Sequence, residues 1–475
     1  MKFKILVVLI TIVITSCQKK EHEVQTINGV WESIGSGWIL QIQDSTQYSF
    51  HDITSISCLA ARKAVLSEII ASLSLKNDTL SLQKGVMTYK FTRLNELPEL
   101  CSAVVSEAKK KDIMFNFEVF SETVKDHYTF MELNNINWAT LYAQQKSKLN
   151  ENSSEVELYN VLDETLELLN DNHAFLEATD EVYEALEQIA SDEEEVETEE
   201  SLPEYGDFQI ADMVAKHHFV EDMTEDSWLI KWGKMEDNVG YIQVKAMWLF
   251  ADLEIPESLI EEVGYVDAFV KTFHQMNEGS YIEKEVEGVR KTMDRVMADL
   301  MDAKSIVIDV RFNGGGQDAV DFEILRRFNP QRRMIVTTKL RNGDGFSPIL
   351  SLYLEASSTA YTKPVFVLTS PQSGSAAEAF SIGSMSLSHV KRIGSSTEGA
   401  LSTALEKGLP NGWSFAISNE IYMDTNGNSY ENIGVPVDYD LNYPEDRQTY
   451  FRSIADDLGA DKQNILEAME QLQNQ

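Results

Sequence analysis

The chain has 475 residues, 43% of them hydrophobic, with 77 acidic side chains against 40 basic ones and a formal net charge of −37. That length exceeds one ordinary domain, and the composition is globular rather than fibrous or disordered. So large a negative surplus argues against nucleic acid or an anionic surface as a partner.

The N-terminus reads as a targeting segment. Met1-Lys2-Phe3-Lys4 is a basic start, and residues 5–14 are an apolar run too short to span a bilayer comfortably. The run ends Ile14-Thr15-Ser16-Cys17, which resembles a bacterial lipobox. The resemblance implies cleavage before Cys17 and a lipid on that cysteine. The alternative is an ordinary signal peptide with a chance cysteine. Gln18 follows where an aspartate would signal inner-membrane retention. The expected location is therefore the bacterial cell envelope, lipid-anchored at the outer membrane, on its periplasmic or surface face. Two further cysteines, Cys58 and Cys101, either pair, as an exported protein allows, or stay buried and free.

In chain order, residues 1–17 are the leader and lipobox and 18–26 a tether. Residues 27–101 carry short alternating runs such as Trp38-Ile39-Leu40-Gln41-Ile42 and Thr79-Leu80-Ser81-Leu82. Turn chemistry at Lys76-Asn77-Asp78 and Lys84-Gly85 separates some of them. This predicts a small β-barrel or sandwich, and Asn28-Gly29-Val30-Trp31 resembles the opening of lipocalin-like barrels. Such a domain binds a ligand or spaces the rest from the membrane; spacing is favoured because no polar constellation stands out. Residues 102–190 turn helical, with a capping box at Ser154 and Glu157 heading an apolar stripe Leu158, Leu162, Leu166 and Leu169. Residues 191–238 open with the acidic run 191–201 and read as a linker or insertion. From 239 to 445 strands alternate with helices, which implies a mostly parallel sheet, closed by β structure at 413–422 and 428–437. Residues 446–475 read as a C-terminal helix. The fold class is thus multidomain α+β.

Within the αβ region, Val365-Phe366-Val367-Leu368 suits a buried strand, and good helix formers follow Ser375 directly. Ser375 therefore stands where a strand turns into a helix. There it either caps the helix or serves as a nucleophile beside unpaired N–H groups.

Four separated stretches resolve this choice. Asp309-Val310-Arg311-Phe312-Asn313-Gly314-Gly315-Gly316 resembles the D-L-R-x-N-x-G-G motif of the tail-specific (C-terminal-processing) and tricorn-core serine peptidases. Ser373-Gly374-Ser375-Ala376-Ala377-Glu378 resembles their nucleophile segment. Gly394-Ser395-Ser396-Thr397-Glu398-Gly399-Ala400 resembles the following G-x-x-T-x-G segment, and Glu431-Asn432-Ile433-Gly434-Val435-Pro436-Val437-Asp438 the closing E-x-x-G-V-x-P-D motif. Val437 replaces a usual proline. The resemblance covers about 134–438 and implies a ClpP/crotonase-like core. The processing branch has a catalytic lysine where this chain has Ala400, which points to the tricorn-like branch. There the base is a histidine from the helical region, and Asp171-Asn172-His173-Ala174-Phe175-Leu176 resembles that segment.

The resemblance implies Ser375 as nucleophile, His173 as base, Glu431 behind the histidine and Asn172 in a relay position. It implies Gly315, Gly316 and Ala376 as oxyanion donors. Residues 177–238 hold no glycine-rich carboxylate-binding loop, so no PDZ module is expected. The expected activity is serine peptidase action on peptides or unfolded protein, with no cofactor and no metal. The competing readings are a non-catalytic binding lipoprotein on the same fold and a crotonase-like acyl-CoA enzyme; an exported, lipidated chain argues against the latter. The sequence leaves substrate preference and oligomeric state open.

Overall fold

Apolar residues two apart on the N-terminal strands place one face of a sheet in a common core. Trp31, Leu40, Ile42, Tyr48, Leu80, Leu82 and Phe91 meet there. The structure, a computed structural model, describes residues 27–192 and 204–474. The leader, Cys17, the tether and residues 193–201 of the acidic run lie outside the described residues. Seven antiparallel strands between Gly29 and Leu94 form one sheet, with Cys58–Val65 and Leu73–Lys76 at its two edges. Asn77 and Asp78 turn one hairpin at φ 48° and 61°, the left-handed pair that a two-residue loop requires. Cys58 and Cys101 are joined by a disulfide.

The helical region packs Ile113–His127 against Glu155–Leu169. Ser154 caps the second helix in a complete capping box with Glu157, and Asn170 ends it at φ 52°. The chain then turns into a short strand, Phe175–Glu177, that pairs with Ser414–Ser418 of the core. That pairing fixes where the intervening turn, with His173, meets the rest of the molecule.

The central sheet runs in the order Tyr439–Asp440, Val390–Gly394, Val365–Thr369, Ser305–Asp309, Val239–Val244, Ile230–Met235, Glu221–Asp222. Its first five strands are parallel and the last two antiparallel. Two expectations need correction. Residues 204–238 are not linker: the helix Asp207–His218 buries Ile210, Ala211 and Val214, and two strands extend the sheet. Negative charge upstream masked a short amphipathic helix. Residues 428–437 are turns rather than strand, because Gly427 and Gly434 (φ 87° and 73°) and Asn432 (φ 62°) break extended pairing. The C-terminal segment is two helices, Arg447–Asp456 and Leu458–Gln473.

The N-terminal sheet is docked on the core rather than held away from it. Lys407 Nζ lies 2.7 Å from Asp52 Oδ1 and 3.0 Å from the Gly37 carbonyl, in a pair whose side chains are only 3% and 14% exposed. Asn419 donates to the Gly35 carbonyl at 3.1 Å, and Met87 joins the main core cluster. Among the described residues no helix is long and apolar enough to cross a membrane.

Candidate active site

The parallel strands Ser305–Asp309 and Val365–Thr369 are neighbours, so the loops leaving their carboxyl ends lie side by side. Sites in open α/β sheets form at such ends. Here the two loops are locked together. Ser370 Oγ donates to Arg311 O at 2.6 Å, Ser373 Oγ to Val310 O at 2.8 Å, and the Gly374 N–H to Asn313 O at 3.1 Å. The charged half of the first motif is structural. Arg311 is fully buried, bonded to Asp309 at 2.7 Å and to Asp461 of the last helix at 2.8 Å. A buried guanidinium is tolerated because both carboxylates satisfy it.

Ser375 has φ 52° and ψ −121°, and its side chain makes no capping bond. A capping serine has extended backbone and a bonded hydroxyl, so the cap reading fails. A non-glycine residue in this region costs on the order of 1–3 kcal/mol and persists only where its surroundings over-determine it. They do so here. The Ser375 N–H donates to Ala400 O at 3.0 Å and to Glu378 Oε2 at 3.2 Å. Glu378, buried, also accepts from Thr397 Oγ1 at 2.6 Å and from the Gly399 and Ala400 N–H groups at 2.7 Å each. Burial pushes its carboxyl up to about 7, and those hydrogen bonds oppose the rise. Ser375 is half-buried at the head of the helix Ala376–Ser384.

The glycine turn sits against this serine. A Cβ on Gly315 would lie 2.5 Å from Ser375 Cβ, and φ there is +106°. The expectation that Gly315 donates to an oxyanion is corrected: its N–H is held by Asn313 Oδ1 at 2.8 Å. Asn313 in turn donates to Val244 O at 3.0 Å, so the amide braces the turn. Ala376 and Gly316 keep N–H groups with no partner among the described residues, the first as an orphan donor at a helix N-terminus.

His173 arrives from the other side. Asp171 Oδ1 accepts the His173 N–H at 3.0 Å, and the same carboxylate accepts the Ser418 N–H and hydroxyl, both at 2.7 Å. The turn is thereby pinned to the core strand. The His173 Nδ1 is buried and has no partner among the described residues. Burial lowers the imidazole pKa below the ordinary 6.5, with the Asp171 charge opposing. Glu431 accepts the Leu401 N–H at 3.0 Å, one residue beyond Ala400. Burial, reinforced by the charges of Glu378 and Asp171, pushes its carboxyl up to about 8. Among the described residues, no hydrogen bond joins the His173 ring to Ser375 or to Glu431, and Asn172 is exposed with no bonded side chain. Its side chain turns outward because the flanking Asp171 and His173 take the inward positions of the turn. No cluster of His, Cys, Asp or Glu among the described residues has the arrangement to hold a metal ion.

Residues 238–441 match peptidase family S41, and residues 109–167 match the tricorn protease C1 domain. The protein is a serine peptidase. In fold, the peptidase is similar to the crystal structure of a putative peptidase from Parabacteroides merdae. That likeness has 19% identity and a TM-score of 0.51, over 74% of this chain and 97% of that one. It is similar to mature CPAF at 11% identity and a TM-score of 0.52, over 77% of this chain and 99% of that one. No curated protein matches the chain.

Two residues that organise the peptidase site carried no assigned role in the sequence. Glu378 stands three positions after Ser375, where a helix-start glutamate reads as an ordinary capping partner. Asp171 precedes His173 by two, the spacing of an Asx turn, and that spacing was the available signal.

Proposed function

We propose that the protein is a lipid-anchored peptidase of the bacterial envelope that hydrolyses peptide bonds through an acyl-enzyme on Ser375, with His173 as general base. The observation that carries this reading is the strained, uncapped Ser375 beside the orphan Ala376 N–H. In the proposed cycle the Ser375 Oγ–H bond breaks, its proton passes to the neutral His173, and Oγ bonds to the scissile carbonyl carbon. The carbonyl oxygen, now negative, is met by the Ala376 and Gly316 N–H groups. The C–N bond then breaks and the amine takes the proton from His173; water, deprotonated by the same ring, bonds to the acyl carbon, the C–Oγ bond breaks to release the acid, and Oγ takes the proton back from the ring. Asp171 is the carboxylate whose charge steadies the imidazolium. Ala400 offers no amine, so a lysine base is not available from that position. Substrates are peptides or unfolded protein. Anchoring rests on the leader and on Cys17-Gln18.

A fluorophosphonate probe followed by peptide mapping tests the chemistry: label on Ser375 is expected, and absence of label removes the reading. Metabolic labelling with an alkynyl fatty acid tests the anchor, with label expected on the wild type and none on Cys17→Ser.

A further inference from the structure

Asn134 follows the helix Ile113–His127, half-buried, and its carboxamide faces two ways. Its Nδ2 is surrounded by oxygens. It donates to Leu169 O at 2.8 Å, to Asn170 O at 3.1 Å and to the Tyr128 hydroxyl at 2.9 Å. Carbonyl oxygens only accept, so this end of the amide is the nitrogen and the other end the oxygen. That Oδ1 accepts from Asn432 Nδ2 at 2.6 Å. Leu169 and Asn170 open the turn that carries His173, and Asn432 directly follows Glu431.

Asn432 is a fixed post. Its backbone is left-handed, φ 62°, a conformation asparagine tolerates. Its N–H donates to Gly399 O at 2.8 Å, and a Cβ on Gly399 would lie only 3.0 Å from Asn432 N, so the two loops are in close contact. The Gly399 N–H donates to Glu378, whose other oxygen accepts the Ser375 N–H. One chain of hydrogen bonds therefore runs from the histidine turn through Asn134, Asn432, Gly399 and Glu378 to the nucleophile. The far end of the turn is tied separately, by Asp171 on Ser418 and by the strand Phe175–Glu177. Among the described residues His173 Nδ1 has no partner, so the place of the ring follows the place of the turn.

We propose that Asn134 and Asn432 are positioning residues of the peptidase, a carboxamide clasp that sets the His173 turn against Ser375. The inference rests on the catalytic reading above and adds two residues that act through the base. A base works only within hydrogen-bond reach of the hydroxyl, and a shift of about 1 Å costs about 10²-fold. Asp171 and the strand hold one end of the turn; the clasp keeps the other end from pivoting about it.

The test opens the clasp from each side in the full chain, with folding checked by circular dichroism. Asn432→Gly removes the carboxamide and keeps a residue at home at φ 62°. Asn134→Ala breaks the same bond without altering the Glu431 loop. The readouts are the rate of fluorophosphonate labelling at Ser375, its pH profile, and amide hydrogen exchange over residues 169–174. Each single variant is expected to label about tenfold more slowly, and the double variant no more slowly than the worse single, because one contact is lost. Exchange over the turn should quicken. The acid limb should move upward, because burial is what lowers the imidazole pKa, against the Asp171 charge, and a loosened ring meets water. Labelling unchanged in both folded variants, losses that multiply in the double variant, or slower labelling with limb and exchange both in place, a purely structural loss, overturns the proposal. Quicker exchange over the turn in the variants, with wild type never labelled at Ser375, removes the catalytic reading alone.

Discussion

The two halves of the site are built differently. Ser375 is fixed from several sides: its N–H is shared by Ala400 and Glu378, its loop is bonded to the glycine loop, and its Cβ leaves no room for a side chain at Gly315. His173 comes from another region, and its ring is held by burial alone, while one carboxylate, Asp171, fixes only its backbone. The nucleophile is preorganised by the sheet. The base depends on how the helical region docks, through the strand Phe175–Glu177. Mutations in the first half should therefore act by displacing atoms, and those in the second by changing orientation and protonation.

The largest effect is expected at His173 itself. His173→Ala should lower acylation by about 10²–10⁴-fold, measured as kcat/KM for peptide and as probe labelling rate. Turnover near wild type would mean that another group is the base. Gly315→Ala should cost about 10²-fold, because the new Cβ falls 2.5 Å from Ser375 Cβ and neither loop can yield. An unperturbed rate would show that the nucleophile loop is softer than its bonds imply.

Asp171→Ala should cost about 10- to 100-fold, since the turn loses its three hydrogen bonds. A purely structural loss would leave the pH profile in place. A shift is expected instead. Burial sets the wild-type imidazole below 6.5, so the base stays neutral, and the rate holds, to a pH below the free-histidine value. Removing the Asp171 charge, which raises the pKa, should move the acid limb lower still. A limb that moves upward, or stays fixed, would show that Asp171 does not face the reacting ring.

These differences also mark what the chain made legible. The strand-to-helix turn at Ser375 reads directly, because apolar run, polar turn and helix formers are contiguous. So do the glycines that only a close approach requires. The helix after Ser154 reads from its capping box and stripe. What could not be read is what depends on partners distant in sequence. Gly315 looked like a donor, and only the fold shows Asn313 consuming its N–H. Glu431 reads in the sequence as the carboxylate behind histidine, and only the fold shows it accepting the Leu401 N–H, with burial pushing its carboxyl up to about 8. The sheet at 29–94 carries no polar cluster that marks its docking on the core, because the bonds that dock it, Lys407 with Asp52 and Asn419 with Gly35, join residues distant in sequence. The helix Asp207–His218 was lost behind the acidic run.

The smallest kinetic effect is expected at Glu431. Its carboxyl is pushed up to about 8, so near pH 7 it is mostly neutral, and glutamine copies that form in shape and charge. Glu431→Gln should keep activity within about threefold at pH 7, less than 1 kcal/mol in the barrier. The variant differs more in stability. In the unfolded chain the carboxyl titrates at its ordinary 4.5, so between 4.5 and about 8 the folded state binds more protons. Folding stability from this group is therefore present below 4.5 and is lost as pH rises through about 8. Glutamine carries no such loss. Wild type should fall in melting temperature from pH 6 to pH 9 more steeply than Glu431→Gln, with the variant ahead at pH 9. If instead Glu431→Gln loses 10²-fold or more at pH 7, the residue works as an anion and the bond it lacks to His173 must form when substrate binds.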